Sequence, residues 1–263
     1  MGIGILVLIL FLSFAAPLLG LPSPYQQDLA NVLAPPSWAH PFGTDNLGRD
    51  VFARTLAAAQ LDLGVAFAVT AVSLIIGLTL GSLAGFFGGS VDAVIMRSAD
   101  LCLAFPFIVL VLVIIAITGP GLTGVYIGVP LTSWALYARL TRGEMLVVRE
   151  KEWVLAARTL GLPVWRQFAR HSFPHVWKPA LVFSTADFVL NIMILATLSY
   201  LGVGAQPPRP EWGALIAEGQ PQLLNAWWIS TLPGLFVATV GVAISLIGDG
   251  AAELSGEDMK VVA

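Results

Sequence analysis

The chain has 263 residues, of which 57% are hydrophobic and only 11% charged, and its mean hydropathy is +0.85. A water-soluble domain of that length does not leave its surface so short of charge, so composition places the chain in a lipid bilayer. The net charge of −3 gives no reason to expect nucleic acid as a partner, and the single Cys102 excludes an internal disulfide or a Cys-rich metal site.

A helix needs roughly 20 apolar residues to cross the hydrocarbon core. Six stretches qualify, at about 2–20, 63–87, 100–118, 121–141, 179–203 and 228–248, so the expected fold is an all-α, polytopic membrane protein forming one domain over 1–263. The first stretch lacks the basic start and small-x-small end of a secretory signal and is read as a retained helix. Residues 21–62 form a long external segment ending in an amphipathic helix near 47–60, and 88–99 form a short internal turn. Residues 204–227 form an external loop with an aromatic edge, where Trp settles at the interface.

Orientation follows from lysine and arginine, which stay on the cytoplasmic side. An N-in, C-in arrangement keeps Arg97, Lys260 and the basic run Arg139, Arg142, Arg149, Lys151, Arg158, Arg166, Arg170 and Lys178 inside. It leaves only Arg49, Arg54 and Arg209 outside.

The second span carries Gly77, Gly81 and Gly85 at four-residue spacing, a ridge of small residues that lets helices approach closely. At the inner end of the third span, Arg97 and Asp100 are placed for a local ion pair.

The cytoplasmic segment 142–178 is too polar and too long for a simple turn. A helix is expected from Glu152 through Trp153, Ala156, Ala157 and Arg158 to Leu160, broken at Gly161. Pro163 is placed to open a second helix, with Trp165, Phe168 and Ser172 on one face, Arg166 and Arg170 on another, and Pro174 at its end. Two short helices lying across the inner face make a knob: small residues let a partner's backbone come close, and aromatics supply contact area. Binding of anionic lipid accounts for the arginines but not for the Ala-Ala, Gly and Pro pattern. His171 and His175 have the i, i+4 spacing of a metal pair, but Pro174 lies between them and no third ligand is near, so the expectation is packing and no metal. Cys102 and Met96 are read as packing too.

In the fifth span, Asp187 and Asn191 lie one turn apart on one face. A carboxylate in lipid is costly and must meet a cavity or a polar partner. Two readings stay open: a polar stripe along a translocation path, and a hydrogen bond between helices.

Ala156, Ala157, Gly161, Phe173 and Pro174 resemble the signature loop of ABC-importer permeases, with Leu155 where that signature has Glu and His175 where it has Asn. HPFGTDNLGRDVFAR at 40–54, the stretch 85–107, LSYLGVGAQPPRPEWG at 198–213 and Gly248-Asp249-Gly250 are similar to motifs of the dipeptide, oligopeptide and nickel permeases, in their second-permease branch. The family often carries Glu near 195, where this chain has Leu195, and its basic tail is replaced here by AAELSGEDMKVVA. The resemblance implies a subunit of an ATP-driven, binding-protein-dependent importer for peptides, nickel or metal chelates in a bacterial or archaeal inner membrane. Implied partners are a homologous second permease, two cytoplasmic ATPases docked on the loops, and an external substrate-binding protein. ATP and Mg would lie on the ATPase chains. The three lysines agree, since Lys151, Lys178 and Lys260 never follow Gly as a phosphate-binding loop requires. A secondary transporter is the competing class, for which one intramembrane Asp and no visible repeat are thin support. A membrane hydrolase would want a His/Glu or Ser/His/Asp cluster that three scattered histidines do not supply.

Overall fold

A computed structural model describes residues 1–16 and 18–254. Lys260 and the rest of the tail from 255 on fall outside the described residues. The described chain is mainly helical, with short 3-10 and π segments besides ten α-helices: α1 (Gly2–Ala15), α2 (Val51–Phe87), α3 (Gly89–Leu103), α4 (Phe107–Thr118), α5 (Leu122–Val148), α6 (Glu152–Thr159), α7 (Val164–Arg166), α8 (Trp177–Tyr200), α9 (Trp212–Gly219) and α10 (Trp228–Leu254). Three of them, α2, α8 and α10 to Ala251, are long and apolar enough to cross a membrane, and the bent pair α3–α4 makes a fourth if counted as one span.

Three elements depart from expectation. The amphipathic helix near 47–60 is the first third of α2, which runs unbroken for 37 residues. Asp50 starts it by accepting the Ala53 amide at 2.7 Å, and nothing between 51 and 87 interrupts the ladder. Residues 88–99 are mostly helical, because Gly88 at φ +67 turns the chain directly from α2 into α3. The stretch 100–118 is not one rod. Pro106 cannot donate to a preceding carbonyl and disfavours helix at Phe105, so α3 and α4 meet at 90°.

α2 and α5 form the central pair. Thr141 donates to the Gly77 carbonyl across it, and Cβ atoms at Gly77 and Gly81 would overlap Tyr137, Thr141 and the Ala138 carbonyl. With no hydrophobic force between helices in lipid, such close backbone approach supplies the dispersion contact that holds them. The glycine ridge thus packs within the chain's own bundle. Val65, Val69, Val111, Val125 and Leu195 join α2, α4, α5 and α8. Ile9, Ala59, Ile192, Trp212 and Val240 join α1, α2, α8, α9 and α10. Large apolar side chains face outward too, among them Phe67, Ile75, Ile117 and Leu235, as a chain solvated by lipid allows.

The expected Arg97–Asp100 pair does not form. Asp100 turns toward α5 and takes Arg139 at 2.6 Å, while Arg142 of α5 reaches Asp92 of α3, also at 2.6 Å. Interhelical geometry overrides the i, i+3 spacing because these carboxylates lie on the α5-facing side of α3.

Candidate functional site

The knob is the first candidate. α6 closes at Leu160, and Gly161 at φ +71 reverses the chain in a conformation that strains any residue with a Cβ. Pro163 caps α7 from just outside it, so the second helix starts one residue later than expected. It then widens into a π-helical stretch over Gln167–Ser172 and tightens into a 3-10 turn over Phe173–His175. Pro174 therefore does not end the helical path; it marks a change of pitch, and α8 follows almost at once.

The predicted residues sort into two sets. Ala157, Gln167 and Ser172 are buried, and Phe168 packs with Val154 and Val176 against Met145 and Val148 of α5 and Leu83 and Phe86 of α2. The ring of Phe168 is the hub, with centroids 5.3 Å from Phe86, 5.3 Å from Trp165 and 5.7 Å from Phe173. Gln167 donates to the Leu162 carbonyl at 2.7 Å and closes the knob on itself, and Arg149 donates to the Gly85 carbonyl at 2.9 Å. The other set faces out: Glu152, Trp153, Ala156, Arg158, Gly161, Pro163, Trp165, Arg166, Arg170 and Pro174 are exposed, with His171 half-buried. Trp165 and Leu160 are 64% and 78% exposed, too much apolar surface for a face that stays in water. Arg158, Arg166 and Arg170 make no ion pair among the described residues. His175 stacks on Trp153 at 5.3 Å, and no group of three or more metal-ligating side chains occurs among the described residues.

Asp187 and Asn191 are both buried, in the bundle. Asp187 accepts from the Tyr137 hydroxyl at 2.8 Å and from the Asn191 amide at 2.9 Å, and Asn191 also donates to the Thr70 hydroxyl at 2.8 Å. The cluster ties α2, α5 and α8 together.

At the opposite end of α2 lies a network that composition and periodicity did not announce. Asp45 takes Arg49 at 2.6 Å and Arg54 at 2.7 Å, and Glu218 of α9 takes the same two arginines at 3.0 and 3.2 Å. Burial holds the Glu218 carboxyl above its ordinary value, with Arg49 drawing it down and Asp45 pushing it up. His40 bonds Asp50 at 2.8 Å, Trp228 donates to the Thr44 carbonyl, and Trp212 donates to the Thr55 carbonyl. Glu211 caps α9 through the Ala214 amide, and Asp62 accepts the Trp212 amide. Together these bonds lash the segment before α2 and α9 onto the start of α2. The signal was present in the motif at 40–54 and in Glu211-Trp212-Gly213, but a charge pair across 169 positions has no local trace.

Residues 77–261 match the family described as binding-protein-dependent transport system inner membrane component. The chain is 38% identical over 250 residues to the probable D,D-dipeptide transport system permease of Escherichia coli, covering 95% of this chain and 84% of that one. It is 36% identical to the dipeptide transport system permease of Alkalihalophilus pseudofirmus, covering 98% and 86%. Against the oligopeptide permease of Bacillus subtilis it is 34% identical, covering 95% and 82%. Among solved structures the fold is similar to an inward-facing methionine ABC transporter, at TM-score 0.62 and 17% identity, covering 76% of this chain and 95% of that one. A second similar structure is an amino acid ABC transporter, at TM-score 0.59 and 14% identity, covering 75% and 92%. The protein is a multi-pass membrane subunit without catalysis of its own, working in a multi-subunit ABC importer whose ATPase lies on separate chains. The chain belongs to the family of binding-protein-dependent transport system inner membrane components.

Proposed function

We propose that this chain forms half of the translocation pathway of a peptide importer in a bacterial or archaeal inner membrane, and that the knob over 152–174 is where a cytoplasmic ATPase grips it. The proposal takes six spans with both termini inside, a homologous second permease for the other half, and an external binding protein that delivers cargo. ATP and Mg belong to two ATPase subunits. Peptide is favoured as cargo because relatives at 34–38% identity are named for dipeptides and oligopeptides.

One observation carries the docking reading. The knob divides into a buried side locked to α2 and α5 and an exposed side with apolar Leu160, Val164 and Trp165 beside unpaired arginines. A rigid seat under an apolar, cationic outer face suits a lever, since force on the exposed face reaches the spans without loss in a soft joint. Close approach of a partner at Ala156 and Gly161 is unobstructed, for a Cβ at Gly161 would meet nothing within 4 Å.

The test is reconstitution of the full complex in proteoliposomes. Uptake of a short peptide should require ATP, the ATPase subunits and the binding protein. Trp165→Ala should weaken ATPase co-purification by about tenfold, as removal of a central aromatic anchor costs on the order of 1–2 kcal/mol. Uptake that proceeds without any ATPase subunit overturns the proposal.

A further inference from the structure

A cavity of about 880 Å³ opens at the end of α2 far from the knob, walled by Ala57 and Leu61 and reached by Gln60, Tyr25, Tyr126 and Arg209. Its α2 wall runs as far as Gly64 and Val65, roughly 30 Å along the helix from Gly85, where Arg149 of the knob's base is anchored. The volume lies within the usual range for a small-molecule site, about 300–1,000 Å³.

Its polar groups are unequal. Gln60 spends its amide on the Ser13 carbonyl at 2.7 Å, and the Ser13 hydroxyl is bonded to the Leu56 carbonyl at 2.6 Å. The phenols of Tyr25 and Tyr126 and the guanidinium of Arg209 bond nothing among the described residues. Arg209 is the one charged residue in the described lining. It also differs from the other two external arginines, because Arg49 and Arg54 are neutralised by Asp45 and Glu218. Pro207, Pro208 and Pro210 surround it, and proline's fixed φ makes a stiff stem for a long side chain. A second cavity of about 330 Å³, walled by Leu122 and Thr123 at the start of α5, touches the same arginine. Arg209, Tyr25 and Tyr126 are all exposed, so a guanidinium that lines both cavities, with no carboxylate in either lining, is open to an anion arriving from solvent.

We propose that Arg209 reads the C-terminal carboxylate of a peptide entering the pathway from outside, with Tyr25 and Tyr126 flanking the peptide. This rests on the peptide-importer reading and adds a selectivity element within the permease itself. The guanidinium fork suits a carboxylate by paired N–H donors, a geometry that a terminal amide cannot match.

The experiment uses the complete complex in proteoliposomes and a peptide in two forms, free acid and C-terminal amide, chosen so that the isolated binding protein holds both equally. Wild type is expected to import the acid faster. Arg209→Gln should lower acid uptake on the order of tenfold, the loss of a charge-assisted bond, and abolish the preference over the amide. Arg209→Lys should restore part of that preference. Binding-protein-stimulated ATP hydrolysis confirms that each variant is assembled. Equal slowing of both forms, or no change in either, overturns the assignment while leaving the importer reading intact. An Arg209→Gln defect present in anionic vesicles and absent in zwitterionic ones marks a lipid headgroup as the anion and also overturns it. If assembled wild type imports neither form, the peptide reading itself fails and takes the assignment with it.

Discussion

Phe168 sets its ring edge-on to that of Phe86, centroids 5.3 Å apart at 63°, and so joins the knob to the last turn of α2. This contact packs the knob against the bundle. Phe168 is buried, whereas its neighbour Trp165 is largely exposed, so Phe168 seats the knob and Trp165 belongs to the face on which we propose the ATPase docks.

Phe168→Ala should therefore loosen this contact. Truncating a buried Phe costs about 3–5 kcal/mol, from lost contacts and the cavity left behind. Thermal unfolding in nanodiscs should show the loss, and in the assembled complex the ratio of peptide imported to ATP hydrolysed should fall. Trp165→Ala should leave thermal stability within about 0.5 kcal/mol, as exposed substitutions do, while weakening ATPase capture.

The glycine ridge gives a second expectation. Gly81→Leu puts a branched side chain where even a Cβ meets Thr141 and the Ala138 carbonyl, so α2 must part from α5. Overpacking of this kind costs about 1–3 kcal/mol or more, and the variant should lose yield of folded protein on size-exclusion chromatography. Gly64→Ala, with nothing within 4 Å, should keep the wild-type yield of folded protein in the same measurement.

Asp187 decides between two roles. Tyr137→Phe removes the hydroxyl that donates to it and leaves a buried acceptor short of a partner, at about 1–3 kcal/mol. If the cluster is an interhelical tie, Tyr137→Phe and Asp187→Asn both lower thermal stability, and transport per folded complex stays at the wild-type rate. A selective loss of uptake by Asp187→Asn at unchanged stability would instead put that carboxylate on the path.

Glu211 predicts a pH dependence. Burial raises its carboxyl above the ordinary glutamate value, against the pull of the Gly213 and Ala214 amides. The folded protein then keeps that proton over a window in which the unfolded chain has released it. The resulting stability is full below the unfolded value and is lost as pH rises through the folded one. Glu211→Gln keeps an oxygen for the Ala214 amide but cannot ionise, so the fall in unfolding temperature as pH rises above the ordinary glutamate value should flatten. An unchanged slope would assign the titration to another group, with Asp62 beside the Trp212 amide the first to examine.

Membrane residence, an all-helical fold, the glycine ridge and the knob's pattern of small and aromatic residues were all legible in the linear sequence. Each depends on composition or on spacing within one helix, and lipid makes apolar length a direct readout. What the spacing could not carry was the choice among partners. Asp100 had Arg97 three residues away and took Arg139 from α5; Asp187 had a cavity and a helix as candidate neighbours, and Tyr137 of α5 supplied the hydroxyl. The four-charge cluster of Asp45, Arg49, Arg54 and Glu218 exists only because α9 folds back over the start of α2. Periodicity reports which face a residue occupies, and only tertiary packing brings a second helix to that face. That is why membrane residence and the helical fold could be read from the sequence, while the ties between helices, the contact at Phe168 and the unpaired state of Arg209 had to come from the fold.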